Sequence, residues 1–359
     1  MNGILLGRYT VVLMIVMGSW GCNPGSDHSD RAPNSAADTP RVLYYFTWSD
    51  YADPDILHEF EQRTGVRVVV DTYSSNEELL AKVQSGMTGY DVAVPSDFMA
   101  GIMARLGLLS ELDPQRIPNM ALISDHLRGL PFDPEFRYAV PYLWGTVGIG
   151  YDSAVIPTPP QSWNILWDPR YRGRISILND QREVLGMALR SLGYSLNSVN
   201  PAEIEAAKAK LIAQKPLVKV YTSEQFDQLL VSGEVVLAHA WGGPVARAMR
   251  ERPSIRYVVP QEGGTIWTDC LVVLASSRRR TLAMEFINYL LDVDVAVRTS
   301  NRLLFASANR LVKDRVDPSV RENPAVYPPP SLIPRMEWMI DVDGAVQLYD
   351  RAWTEIKVH

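Results

Sequence analysis

The segment from Val42 to Leu106 constrains the fold more than any other, because strand-like and helix-like patterns alternate through it three times. Val42-Leu43-Tyr44-Tyr45-Phe46 is a short apolar run of strand character. Pro54 to Arg63 then places Ile56, Leu57 and Phe60 on one helical face, with Gly65 as a C-terminal stop. Val66 to Val70 is a β-branched strand, and Glu77 to Gln84 is a helix carrying Leu79, Leu80 and Val83. A third strand at Asp91-Val92-Ala93-Val94-Pro95 leads into a helix near Met99 to Leu106. This β-α-β-α-β-α order predicts an α/β fold, a mostly parallel sheet flanked by helices.

The remainder repeats the theme without an internal sequence repeat. Tyr138 to Tyr151 is apolar and rich in glycine and aromatics, as expected of strands crossing between two lobes. Further strands are expected at Arg174–Leu178, Val235–Ala240, Ile255–Pro260 and Ile266–Leu274. Helices are expected over Glu183–Leu192, Pro201–Ala213, Pro244–Arg250, Thr281–Leu291, a following segment to Arg302, and Gly344–Ile356. The order fits two α/β lobes joined near Tyr142 and Trp267, with the ligand site in the cleft between them. We place lobe 1 at 41–146 plus 267–313 and lobe 2 at 147–266 plus 314–359.

Residues 1–22 are read as a signal peptide. Arg8 supplies a positive start, Tyr9 to Met17 is apolar but too short to span a bilayer, and Ser19-Trp20-Gly21-Cys22 resembles a lipoprotein cleavage site. Trp20 is an unusual occupant there, and a plain secretory signal is the alternative; either destination lies outside the cytoplasm. Asn23 to Pro40 reads as a disordered tether with a reach of roughly 20–25 Å. A lipid on Cys22 would anchor the body to a membrane and leave Cys270 without a partner, as a small buried hydrophobe. A monomer is expected.

With 359 residues, 47% hydrophobic and 21% charged, the chain can build a substantial core. Its net charge of -6 and lack of a basic stripe argue against nucleic acid. Catalysis finds little support: there is no Gly-x-Ser-x-Gly elbow and no His-Glu-x-x-His. The five histidines, His28, His58, His126, His239 and His359, lack metal-ligand spacing. His239, beside Trp241 on an expected strand, is read as a packed core residue. No cofactor or metal is implied.

Ligands of open parallel sheets bind beyond the carboxyl ends of the strands. Standing there are Trp48, Ser49, Asp50 and Tyr51 after the first strand, and Ser96 and Phe98 after the third. Asp180 and Glu183 follow the strand ending at Leu178, and Trp241 follows the one ending at Ala240. A Gly263-Gly264 turn feeds a further strand, on which Trp267 and Asp269 share a face because alternate strand residues do. Aromatics and carboxylates with almost no Lys or Arg suit an organic cation, through cation–π attraction and charge-assisted hydrogen bonds. Plainer roles stand beside this one. Asp180 and Glu183 have capping-box spacing, Asp50 suits a turn, and Trp48, Trp144 and Trp241 could be core.

The chain also resembles the bacterial spermidine/putrescine-binding proteins, the extracytoplasmic receptors of polyamine ABC importers. The resemblance rests on Trp48-Ser49-Asp50-Tyr51, Tyr73-Ser74-Ser75-Asn76-Glu77, Tyr90-Asp91-Val92-Ala93-Val94-Pro95-Ser96 and Pro141-Tyr142-Leu143-Trp144-Gly145. It continues in Arg182-Glu183-Val184, Met187-Ala188-Leu189-Arg190, Leu192-Gly193-Tyr194, Glu262-Gly263-Gly264, Trp267-Thr268-Asp269 and Glu337-Trp338. It implies a two-lobed, type II periplasmic-binding-protein fold and a permease partner. It also implies an aromatic box of Trp48, Tyr51, Trp241 and Trp267, with Asp180, Glu183 and Asp269 holding ammonium groups. Ser49, Asp50 and Ser96 would receive one terminal amine. Phe98 and Phe305 stand where the pattern has tyrosine, and Met339 where it has glutamine. The identity of the polyamine is therefore open. A receptor for an amino acid, a quaternary amine or a metal complex, and a receptor feeding a sensor, are the alternatives.

Overall fold

The computed structural model describes residues 41–86 and 89–358. The signal segment, the tether and Cys22 lie outside the described residues. The chain begins with β1 (Arg41–Trp48), α1 (Pro54–Thr64), β2 (Val66–Tyr73), α2 (Asn76–Gln84), β3 (Val92–Ala93) and α3 (Asp97–Arg105). Local chemistry sets the ends of these elements. The Asp53 side chain accepts from the Asp55 N–H at the start of α1, and Gly65 closes that helix at φ 66. Ser75 caps α2 by accepting from the Glu78 N–H.

A single 14-residue strand follows, β4 (Ala139–Asp152), where the sequence suggested more than one. After it come β5 (Ile175–Ile177), α4 (Gln181–Ser191), α5 (Pro201–Gln214), β6 (Val218–Tyr221), α6 (Phe226–Ser232), β7 (Leu237–Trp241) and α7 (Gly242–Glu251). The rest comprises β8 (Ile255–Val258), β9 (Thr265–Val273), α8 (Arg280–Leu290), α9 (Val293–Leu303), β10 (Ala306–Ser307), α10 (Pro318–Arg321), β11 (Glu337–Trp338) and α11 (Val346–Val358). β6 and α6 were not anticipated. Val218-Lys219-Val220-Tyr221 is too short, and α6 at seven residues too brief, to show a clear period.

The strand order is β2-β1-β3-β9-β4-β7-β5-β6, with β8 and β10 also on β4, and β11 on β9. β1 runs parallel to β2 and β3, and β5 runs parallel to β6 and β7. Between these parallel groups, β4 and β9 pair antiparallel from Ala139↔Val272 to Thr146↔Ile266. At Val147 the partners of β4 change, and its remaining residues pair with β7 and β8. One strand thus belongs to both halves of the sheet. Such a strand has two covered faces and two covered edges, and every residue of β4 is buried accordingly.

The core lies on both faces of the sheet. In the first half, Leu43, Tyr45 and Leu271 pack on one face while Phe46, Ala93, Cys270 and Val272 pack on the other. Cys270 is a buried free thiol, as the sequence suggested. Close approach of backbones explains two glycines. Gly263 sits at φ +76, where a Cβ would meet the Arg335 carbonyl oxygen. At Gly148, in β4, a Cβ would come within 2.6 Å of the Val258 carbonyl oxygen and 2.7 Å of the Tyr257 ring. Gly148→Ala forces β4 and β8 apart, and overpacking of this kind costs about 1–3 kcal/mol. Urea denaturation should show that loss; a midpoint equal to that of the parent would show that β8 yields freely.

Candidate functional site

The carboxyl ends of β1 and β3 and the start of α4 meet the face of β9 that carries Trp267 and Asp269. Alternation along β9 turns the Thr268 hydroxyl the other way, donating to the Leu143 carbonyl at 2.9 Å. Asp269 is only 4% exposed. Its Oδ2 accepts from the Tyr51 hydroxyl at 2.5 Å and its Oδ1 from the Ser96 hydroxyl at 2.8 Å. Ser96 is fixed in turn by Asn76, whose Nδ2 donates to Ser96 Oγ at 3.2 Å and whose Oδ1 accepts from the Ser96 N–H at 3.1 Å. Two segments distant in sequence therefore converge on one carboxylate, and a third, the start of α2, braces one of them.

A second acidic group comes from the start of α4. Asp180 is its N-cap, accepting from the Glu183 N–H at 3.0 Å. That is half of a capping box. The Glu183 carboxylate does not reach back; it is buried and accepts from the Thr265 hydroxyl at 2.7 Å. Between the two groups lies Asp97, 1% exposed, bonded only to backbone N–H groups of Phe98 at 2.7 Å and Thr268 at 3.4 Å. Glu77, in the first turn of α2, faces Asp180 from an exposed position at the rim.

Burial dominates the electrostatics of this row. It pushes the Asp97 carboxyl up to about 8, with Asp269 adding and Arg182 opposing. Asp269 is pushed up to about 6, the Tyr51 and Ser96 hydrogen bonds holding it back. Asp180 and Glu183 are raised by burial, Glu183 further by Asp180. Glu77 is raised by the protein around it and then by Asp180. The guanidinium facing the row is Arg182, whose Nη1 and Nη2 groups donate to the Ile340 carbonyl and Asn197 Oδ1. The acidic charge thus exceeds what the surrounding side chains neutralise, and a cation would relieve it. No group of three or more His, Cys, Asp or Glu that could hold a metal ion occurs among the described residues. Carboxyls strung out along a row suit an elongated cation better than a point charge.

Aromatic walls accompany the row. The Trp267 ring lies against Gly145, where a Cβ would come within 2.7 Å of it, and meets Phe305 edge-on at 5.3 Å. Phe305 also lies 5.9 Å from Tyr51, and Gly243 leaves room for its ring. The buried Trp267 Nε1 has no hydrogen-bond partner. Trp48 is half-buried, its Nε1 tied to the Val94 carbonyl at 2.9 Å and its ring tilted over Tyr73. Trp241, at the start of α7, is half-buried beside Phe226. Phe98 sits under the Arg182 guanidinium, and Met339 is buried just beyond β11.

Two anticipated residues stand apart from the buried row. Ser49 is exposed and donates to the Tyr73 carbonyl at 3.4 Å. Asp50 is exposed and faces Arg247 at 3.6 Å, which also faces Asp227 at 3.5 Å. His239 is a neutral core residue as expected, edge-on to Trp163 and pushed down to about 3 by burial. Trp144 is likewise core, its Nε1 donating to the Ser307 carbonyl at 3.2 Å. Asn76, Asp97 and Thr265 were missed. Asp97 had a signal, a carboxylate next to Ser96 at a strand's carboxyl end, whereas the partners of Asn76 and Thr265 come only from tertiary packing. A surface concavity of about 610 Å³ lies elsewhere, lined by Arg41, Arg278, Arg279 and Arg280. Its charge has the wrong sign for a cation, so the acidic row is the candidate site.

Comparison with known proteins gives the family and the fold. Residues 55–328 match the family described as bacterial extracellular solute-binding protein. The spermidine/putrescine-binding periplasmic protein of Escherichia coli is 34% identical over 89% of this chain and 93% of its own length. A putative spermidine/putrescine ABC transporter structure from Listeria monocytogenes superposes with a TM-score of 0.84 at 30% identity, covering 88% of this chain and 99% of that one. The TpPotD lipoprotein of Treponema pallidum gives 0.81 at 28% identity, covering 89% and 100%. The chain belongs to the bacterial extracellular solute-binding proteins, and its fold is their two-lobed α/β fold. Among the described residues no helix is long and apolar enough to cross a membrane.

The raised carboxyls carry a stability consequence. Folding favours their protonated form, so their contribution is present below pH 4 and is lost as pH climbs through the folded values near 6 and 8. His239 acts oppositely, but only below about 6.5. Between pH 6.5 and 8 the ligand-free protein should therefore lose about 1–2 kcal/mol. Urea denaturation at the two pH values measures this; equal stability would show that these groups ionise freely.

Proposed function

We propose that this solute-binding protein holds a linear polyamine, spermidine or putrescine, between its lobes and delivers it to the permease of an ABC importer. The observation that carries the reading is the row of carboxyls, buried Asp269, Asp97 and Glu183 with half-buried Asp180, beside the Trp267 ring. A polyamine presents positive charges separated by apolar methylenes, which calls for carboxylates at intervals and flat walls between them. Each charge-assisted bond contributes roughly 1.5–3 kcal/mol and each cation–π contact roughly 0.5–2 kcal/mol. The names of the relatives point to the same ligand class.

In this reading Asp269, braced by Tyr51 and Ser96, takes one ammonium group, and Glu183 with Asp180 takes another. Trp267, Trp241, Trp48 and Tyr51 cover the methylenes. Phe98, Phe305 and Met339 line the site with apolar groups, so the selection among polyamines rests on charge and length more than on neutral hydrogen bonds. The lobes, 41–146 with 267–313 and 147–266 with 314–359, close over the ligand about the point where β4 changes partners. The protein acts as a monomer, outside the cytoplasm, and Cys22 carries a lipid that tethers it to a membrane. Nothing in the site calls for catalysis or a cofactor.

Calorimetric titration with putrescine, spermidine and spermine tests the reading, with lysine and choline as controls. At least one polyamine should bind and the controls should not; silence with all three polyamines sinks the proposal. Asp269→Asn should weaken binding by about ten-fold or more, equivalent to 1.4 kcal/mol or more. Unchanged affinity in that variant would place the site elsewhere.

A further inference from the structure

The strand ends opposite the acidic row carry the reverse charge. Arg41, at the start of β1, and Arg278, Arg279 and Arg280, after β9, line a surface concavity of about 610 Å³. Seven steps of about 3.3 Å along β1 put Arg41 roughly 23 Å from Trp48 and the acidic site. Asp91 fixes the loop that bears the other three arginines. It accepts from the Tyr44 N–H at 2.9 Å, from the Ser277 hydroxyl at 2.7 Å and from Arg279 Nη1 at 3.3 Å. Arg280 donates to the Ala275 carbonyl at 2.8 Å and the Ser277 carbonyl at 3.3 Å, which orient its guanidinium without neutralising it. Arg41 and Arg278 are exposed, and among the described residues no carboxylate pairs with either of them or with Arg280. Guanidiniums gathered around one hollow repel one another. A phosphate relieves that repulsion through charge-assisted, bidentate hydrogen bonds.

We propose that this concavity is a docking surface for the phosphodiester headgroups of an anionic phospholipid bilayer. Two observations favour a bilayer over a soluble anion. The chain enters the hollow at Arg41, directly after Asn23 to Pro40, and a lipid on Cys22 would hold this end of the body within roughly 20–25 Å of the membrane. The net charge of the chain is -6, so an anionic leaflet repels the surface as a whole and favours contact through this face. Docked in this way, the body turns the carboxyl ends of β1 and β3, with the acidic row, away from the lipid and toward passing solute. Delivery to a permease then requires that the body lift and turn. The inference rests on the reading of Asn23 to Pro40 as a membrane tether.

The test is partition of the chain from Cys22 onward, made without lipid, onto two kinds of vesicle. One is phosphatidylcholine alone, the other equal parts phosphatidylcholine and phosphatidylglycerol. The described fold begins at Arg41, so this chain keeps all of it. The parent should bind the anionic vesicles and not the zwitterionic ones, and added salt should weaken the binding. Arg41→Gln combined with Arg278→Gln should weaken it by about 25-fold, at about five-fold per arginine. Neither side chain makes a hydrogen bond or ion pair among the described residues, so the variant should match the parent in urea denaturation and in polyamine titration. Equal partition of parent and variant, or equal binding of the parent to both vesicles, overturns the inference. So does loss of vesicle binding in inorganic phosphate at constant ionic strength, which would assign the hollow to a small anion. Mass spectrometry finding no lipid on Cys22 would remove the tether reading instead, and the vesicle comparison would still judge the surface.

Discussion

The antiparallel pairing of β4 with β9 is the constraint on which the rest depends. It joins two parallel groups of strands that share no other long pairing among the described residues, and it runs from Ala139 to Thr146 before β4 passes to new partners. Because side chains alternate, the pairing fixes which face of β9 Trp267 and Asp269 occupy, and Gly145 leaves room for the indole. A one-residue slip would send both to the opposite face. The ladder is thus both the mechanical link between the halves and the ruler that sets the site.

The site built on that ladder runs against the preference of the core around it. Apolar burial contributes roughly 25 cal/mol per Å², and the same exclusion of water penalises every carboxylate it encloses. Tyr51 and Ser96 offset part of the penalty at Asp269, and Thr265 part of it at Glu183. Asp97 receives only backbone bonds and is pushed higher. The protein therefore holds acidic groups in a state that a cation would stabilise, and the affinity of such a site draws on the relief of that penalty as well as on new contacts.

Much of the fold was legible because it rests on near neighbours. The strand–helix alternation from Val42 to Leu106, the Asp53 and Ser75 caps and the Gly65 stop are all interactions within a turn or two of chain. Asp180 was legible twice, as a cap and as a charge at a strand's end, and the structure bears out the cap. The short elements β6, α6, β10 and β11 were not legible, since two to seven residues carry too little periodicity. Nor was the exposure of Asp50 and Ser49 legible. They share a loop with Tyr51, yet the loop turns Tyr51 inward and leaves its two neighbours exposed.

By itself the sequence determined the α/β class, the parity that puts Trp267 and Asp269 on one face, and the surplus of carboxylates over basic groups near the strand ends. Only the tertiary structure decided which carboxylates matter electrostatically. The Tyr51–Asp269 bond spans 218 residues, the Glu183–Thr265 bond 82, and the Asp97–Thr268 contact 171. Helix caps and strand parity are local and follow from residue order. The ionisation of a carboxyl depends on how much water and which distant donors surround it, and those are properties of the packed chain alone.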